Sequence, residues 1–203
     1  KNAKLDDETN IFTDIFRQSV AKINDGIEDS AIDRLLEDVK LALDNEDLGK
    51  AFYEMLTARS GIKLIDFTDF CNNNFHVVTE LPYKNGEEEF RPDIILLING
   101  MPLVFIEVKK PNNKDGVLAE RSRINRRFQN PKFRRFVNIT QLMVFSNNME
   151  YNDDSPLPIE GAFYASSSYQ EPVFNYFREE EALDLQSLLK PEDDGLENLV
   201  LKD

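Results

Sequence analysis

Arg91-Pro92-Asp93-Ile94-Ile95-Leu96-Leu97-Ile98-Asn99-Gly100-Met101-Pro102-Leu103-Val104-Phe105-Ile106-Glu107-Val108-Lys109 carries the decisive pattern of this sequence. Two apolar runs flank Asn99-Gly100, the dipeptide that most readily accepts two consecutive positive φ angles and so joins antiparallel strands through a tight turn. The unbroken run 94–98 predicts a strand covered on both faces. With Asn99-Gly100 at the tip, residues whose numbers sum to about 199–201 face each other, because turn length sets hairpin register. Asp93 then lies opposite residues 106–108. Glu107 and Lys109 are two apart and project from one face of their strand, while Ile106 and Val108 point the other way.

Two carboxylates and an ammonium therefore converge at the base of an otherwise apolar hairpin. Buried charges are tolerated only when paired or bound to metal. Two close carboxylates suit Mg²⁺, which takes one or two protein oxygens and completes its octahedron with water. Such an ion lowers the pKa of a bound water and neutralises a phosphate. A nearby lysine helps orient the attacking water and stabilises the charge that develops. Asp93, thirteen intervening residues, then Glu107-Val108-Lys109 matches the PD-(D/E)xK nuclease signature. Alone, that signature also describes a salt bridge at a strand end.

The residues that follow supply a substrate class. From Lys109 to Arg135, ten Lys or Arg residues face only Asp115 and Glu120, a local net charge of +8 in a chain whose formal net charge is -14. The remainder therefore carries -22. A net acidic chain argues against a polyanionic partner, but local field governs steering more than net charge does. The segment 117–128 reads as a helix with Val117, Ile124 and Phe128 on one side. Phe128, Phe133 and Phe136 interleave with its arginines, either as core residues or as bases' stacking partners. Pro111-Asn112-Asn113 ends the preceding strand.

Further out, residues 8–59 show apolar spacings of three and four (Ile11, Ile15, Phe16; Ile32, Leu35, Leu36, Val39; Phe52, Met55, Leu56), which predict three helices burying one face each. Ser30 and Asp47 are the expected caps, and Gly61 the expected end of the third helix. His76 to Tyr83 has strand composition, Lys84-Asn85-Gly86 reads as a turn, and Gln141 to Ser146 and Gly161 to Ala165 read as strands. Leu183 to Leu189 suggests a last helix, followed by an acidic tail.

Bulk properties narrow the classes. The 203 residues are 41% hydrophobic, enough for a core. No apolar run reaches the ~20 residues that span a bilayer. The start, Lys1-Asn2-Ala3-Lys4, has neither an initiator Met nor an apolar signal core, which suggests a processed or excised chain. Cys71 is the only cysteine and His76 the only histidine. That excludes an intrachain disulfide and a cysteine-based zinc site, disfavours Ser-His-Asp schemes, and points to a reducing cytoplasm.

The stretch Asn74-Phe75-His76-Val77 together with Arg91 to Pro111 resembles the N-terminal domain of the R (restriction) subunit of type I restriction enzymes. The pattern N-G-x-P-L-V-x-I-E-x-K-K is far more specific than the nuclease signature. Gln141 to Asn147 resembles that family's next core strand, and Leu188-Leu189-Lys190-Pro191-Glu192 the segment before its helicase-like motor. The resemblance implies an α/β restriction-endonuclease-like fold with a mixed sheet flanked by helices: a helical N-terminal region at 1–60, a nuclease core at 61–190, and an acidic linker at 191–203. It implies that Asp93, Glu107 and the Val108 carbonyl hold Mg²⁺ and that Lys109 is the catalytic lysine. It further implies cleavage of double-stranded DNA, assembly with modification and specificity subunits, and ATP used only through a motor outside these residues, since no phosphate loop occurs here.

Lys110, Lys114, Arg121, Arg123, Arg126 and Arg127 are the candidate DNA contacts. The family often carries Q-x-x-x-Y on the helix after the lysine. Here Arg123 and Arg127 align with it, one turn apart, either clamping a phosphate or facing solvent. Glu54 and Glu80 are weaker candidates for the metal site. Two other readings stay open: a non-catalytic docking or DNA-binding module on the nuclease fold, and a free-standing nuclease without a motor.

Overall fold

The computed structural model describes residues 3–111, 114–149, 161–165 and 175–176. The expected helix at 183–189 and the acidic tail lie outside them. The architecture is a mixed six-stranded sheet flanked by helices, beside a small two-stranded sheet. It is consistent with the restriction-endonuclease-like α/β class.

Three helices come first, as the periodicity requires. α1 (Thr13–Ile23) buries Phe16, Ser19 and Val20. α2 (Asp29–Leu43) buries Ile32, Leu35, Leu36, Val39, Ala42 and Leu43. α3 (Lys50–Leu56) buries Phe52 and Leu56. Their ends differ in part from expectation. Glu28, not Ser30, occupies the cap position of α2, and Ser30 lies within its first turn. Asp47 does satisfy the start of α3, accepting the N–H groups of Gly49 and Ala51 at 3.1 and 2.9 Å. α3 stops at Leu56, before Gly61. Arg59 and Ser60 are exposed, so a further turn would bury nothing.

The central hairpin follows. β4 (Ile94–Ile98) pairs antiparallel with β5 (Met101–Val108), in register Ile98↔Met101 and Leu97↔Pro102. The register shifts by one between Leu96 and Leu97, after which Ile94 faces Ile106. Continuing that register sets Asp93 against Glu107. Asn99 and Gly100 have φ of 52° and 81°, as this two-residue turn demands. The tip is clamped. Asn99 is fully buried and donates to the carbonyl of Leu64 and to Asn73 Oδ1, both at 2.8 Å. The Gly100 carbonyl accepts the N–H of Phe12 at 2.9 Å.

β1 (Phe75–Thr79) pairs antiparallel with β4 at the sheet edge. The strand expected through Tyr83 breaks at Glu80, which has φ of 53°. Pro82 cannot donate to a ladder. Tyr83 instead opens β2 (Tyr83–Asn85), which pairs with β3 (Glu88–Phe90). α4 (Lys114–Gln129) is longer than the expected 117–128. It leads through a short turn into α5 (Arg134–Ile139), and the chain returns as β6 (Leu142–Ser146), parallel to β5. β7 (Ala162–Ala165) and β8 (Asn175–Tyr176) complete the sheet.

Two core clusters matter for the site. The helices α1–α3 pack with Met101, Leu103 and Ile139 at the first half of β5. Tyr83, Phe90, Phe105, Ile124, Phe133, Phe136, Met143 and Phe145 form an aromatic cluster over its second half, with Phe128 packed against it. Phe128, Phe133 and Phe136 are thus core residues. Glu107 continues the face of Leu103 and Phe105 past the edge of that cluster. Among the described residues no helix is long and apolar enough to cross a membrane.

Candidate active site

The hairpin brings Asp93, Glu107 and Lys109 together. Asp93 Oδ2 accepts the main-chain N–H of Val108 at 2.8 Å, and the Asp93 carbonyl accepts the N–H of Glu80 at 3.0 Å. Glu107 is only 7% exposed. Lys109 Nζ donates to Glu107 Oε1 at 2.5 Å, and the Lys109 N–H bonds the Ser146 carbonyl on β6 at 2.7 Å. Parallel pairing of β5 with β6 thus fixes the lysine backbone while its side chain folds over its neighbour.

A fourth charged residue, outside the PD-(D/E)xK signature, completes the cluster. Glu120, on α4, is fully buried. Its carboxylate lies 3.2 Å from Lys109 Nζ, 2.8 Å from Arg123 and 3.5 Å from Arg127. Neither Glu120 oxygen makes a hydrogen bond of good angle among the described residues, so charge rather than directional bonding holds it. The sequence held a signal. Glu120 is one of two acids in the basic segment, with Arg123 and Arg127 three and seven residues on, along one helix face.

The electrostatics follow from this grouping. Burial pushes the Glu107 carboxyl above its ordinary value, opposed by the Lys109 hydrogen bond and reinforced by the charges of Glu120 and Asp93. Burial works against the Lys109 ammonium, but Glu107 and then Glu120 outweigh it and hold Lys109 above the usual lysine range. Burial likewise draws Arg127 down, with Glu120 and Glu107 opposing.

The remaining candidates are dispersed. Arg127 turns inward, 13% exposed, with its guanidinium 4.1 Å from the Phe90 ring centroid. Arg123 is half exposed and paired with Glu120. Lys110 and Arg126 are exposed, and Lys114 and Arg121 lie on α4, their side chains outside the described set. Glu54 forms an exposed pair with Lys50 at 3.9 Å. Its helix packs at the Leu103 end of β5, about 13 Å along the strand from Glu107. Glu80 is exposed just beyond β1 and touches the site through its backbone alone. His76 is an exposed strand residue.

A family model described as type I restriction enzyme R protein N terminus matches residues 1–152. The type I restriction enzyme HindI endonuclease subunit of Haemophilus influenzae is 31% identical over 129 residues, covering 54% of this chain and 12% of that protein. The type I restriction enzyme SauMSSORF170P endonuclease subunit of Staphylococcus aureus is 27% identical over 170 residues, covering 82% of this chain and 17% of that protein. The chain therefore spans less than a fifth of either relative. The family match includes the central hairpin, the charged cluster at its base and the helices that clamp its tip, and the chain belongs to the family of type I restriction enzyme R protein N-termini.

Proposed function

We propose that this domain carries out Mg²⁺-dependent hydrolysis of phosphodiester bonds in double-stranded DNA, as the nuclease portion of a type I restriction R subunit. The observation that carries this reading is the convergence of Asp93, Glu107 and Lys109 at one end of the β4–β5 hairpin.

The donor set fits the ion. Mg²⁺ is ordinarily held by one or two carboxylates and keeps several waters. Asp93 commits one oxygen to the Val108 N–H and Glu107 one to Lys109, which leaves each a second oxygen for a cation. Burial first, and then the charges of Glu120 and Asp93, hold the Glu107 carboxyl above its ordinary value, and a cation beside it would offset both. The Val108 carbonyl, beside the N–H that Asp93 engages, would supply a third oxygen. When bound, Mg²⁺ provides positive charge at the scissile phosphate and lowers the pKa of a coordinated water.

The protein groups supply the rest. Lys109 is held protonated by two carboxylates, so it acts as a fixed positive charge on the phosphate and the attacking water rather than as a base. Lys110 adjoins it in the chain, Arg123 reaches it through Glu120, and the exposed Arg126 lies on α4 with Lys114 and Arg121. These would track the DNA backbone without reading sequence. Target choice and translocation belong, in this proposal, to specificity and modification subunits and to an ATP-driven motor outside these residues.

The test uses the full-length chain assembled with its partner subunits. Glu107→Ala and Lys109→Ala should leave DNA-dependent ATP hydrolysis and translocation in place and abolish cutting. Retained cutting by either would overturn the assignment.

A further inference from the structure

We infer that Glu120 is a positioning residue for Lys109: from helix α4 it holds the lysine ammonium at the end of β5, and Arg127 holds Glu120 in turn. The functional part of this inference rests on the nuclease reading above.

A carboxylate with no exposure persists only where cations offset its lost hydration. Among the described residues Glu120 has three, drawn from two elements: Lys109 on the strand side, and Arg123 and Arg127 on its own helix. Their roles differ. Arg123 is half exposed, so water screens it. Arg127 is buried, stacked on Phe90, and cannot lose its proton. It therefore anchors the carboxylate from behind, against the aromatic cluster. Lys109 approaches from the open side.

Lys109 thus has two carboxylate partners with different duties. Glu107 is shared: its Oε1 steadies the lysine, and its other oxygen is the one a divalent cation would draw upon. Glu120 has no such competing role: among the described residues its ion-pair partners are Lys109, Arg123 and Arg127, and it sits behind the lysine on α4. A partner that stays with Lys109 while Glu107 turns to a cation keeps the ammonium aimed at the reacting phosphate. Correct aim is where much of an enzyme's rate resides, since small displacements cost rate steeply. The same contact ties the basic helix α4 to the catalytic strand, so a phosphate engaged by Arg123 would be felt at Lys109 through Glu120.

The experiment compares Glu120→Gln and Glu120→Asp with the unaltered full-length chain in its assembled complex. The first readout is competitive acylation of lysines with acetic anhydride, resolved by mass spectrometry. In Glu120→Gln, Lys109 should become at least about threefold more reactive relative to the other lysines of the same sample, because a neutral amide holds an ammonium far less well than a carboxylate. Glu120→Asp, which keeps the charge one methylene back, should fall between. The second readout is DNA cleavage, expected to fall by at least about tenfold in Glu120→Gln with ATP hydrolysis unchanged. Unchanged Lys109 reactivity, or an equal rise at every lysine, would overturn the positioning role. Changed reactivity with full cleavage would overturn its relevance to the reaction. Normal cleavage by Glu107→Gln would instead sink the nuclease reading, leaving the acylation result to decide the Lys109–Glu120 relationship alone.

Discussion

Asp93 and Val108 are joined across the hairpin: the aspartate Oδ2 accepts the valine N–H at 2.8 Å. A carboxylate at the charged end of the hairpin is thereby held by the ladder it terminates. Its place depends on the register of β4 against β5, and so on the one-residue shift at Leu96/Leu97. One oxygen is fixed by structure, and in the proposed site the other would take the cation.

That division separates folding from metal binding. Asp93→Asn keeps an oxygen that can accept the Val108 N–H, so thermal stability should stay within a few degrees of the parent. Its charge is gone, and Mn²⁺ affinity measured by calorimetry should drop by at least about tenfold, the loss typical even of outer-sphere changes at metal sites. Asp93→Ala should lose both. Parent-like Mn²⁺ binding by Asp93→Asn would show that the ion, if bound, sits elsewhere.

Gly100 should tolerate no side chain. Its φ is 81°, and an added Cβ would meet the Phe12 carbonyl oxygen at 2.7 Å and the Phe16 nitrogen at 2.8 Å. Both are backbone atoms of the segment that enters α1, and neither can swing aside. Gly100→Ala should therefore reduce unfolding free energy by about 2–4 kcal/mol, strain and steric terms together. A urea midpoint unchanged from the parent would contradict the clamp between α1 and the hairpin tip.

The hairpin was legible because three local rules agreed: Asn99-Gly100 for the turn, apolar runs for the strands, and the two-residue period for the face shared by Glu107 and Lys109. The helices of residues 13–56 were legible from spacing alone. Other features were not. The break at Glu80 depends on backbone conformation at a residue with no turn signature of its own, and the ladder shift at Leu96/Leu97 is marked in the sequence only by Pro102, opposite Leu97, a residue that a central strand accepts at an irregularity. Glu120 escaped because its role depends on how α4 crosses β5, a tertiary fact. Arg123 and Arg127 were placed correctly on one helix face, but whether that face meets solvent or the carboxylate could not be read from spacing. For Arg127 the aromatic cluster decided it.

Acid sensitivity should show at Asp66. Its carboxylate accepts from Asn72 Nδ2 at 3.0 Å and from the N–H groups of Thr68 and Asp69 at 2.9 and 3.0 Å. The Asn72 bond first, then those of Asp69 and Thr68, hold its pKa down at about 2, against 3.8 for the unperturbed group. A depressed folded-state value means the stabilisation is full above the unfolded value of 3.8 and is lost as pH falls toward 2. The loop concerned also carries Asn73, which receives Asn99 of the hairpin tip. Melting temperatures taken between pH 5 and 2 (roughly the span of that linkage) should fall less steeply for Asp66→Asn than for the parent. Parallel curves would refute the assignment.

Arg127 offers the sharpest test of the buried cluster. Removing it takes the shielded cation from the fully buried Glu120, leaving Lys109 and the half-exposed Arg123, and takes the stacked guanidinium from Phe90. Breaking one side of a buried pair typically destabilises by about 3–5 kcal/mol, because the surviving charge stays desolvated. With Lys109 and Arg123 still facing Glu120, Arg127→Leu should show a loss at the low end of that range, about 3 kcal/mol, in chemical denaturation. The double variant Arg127→Leu with Glu120→Leu should recover most of it, since replacing a whole buried pair by apolar groups is often neutral. Lys109 would still have Glu107, at 2.5 Å. Recovery of folding without recovery of cleavage would separate the two duties of Glu120: balancing charge within the core, and holding the lysine in place. If the double variant were as unstable as the sum of the single ones, the two residues would be energetically independent, and the cluster could not be the unit its geometry describes.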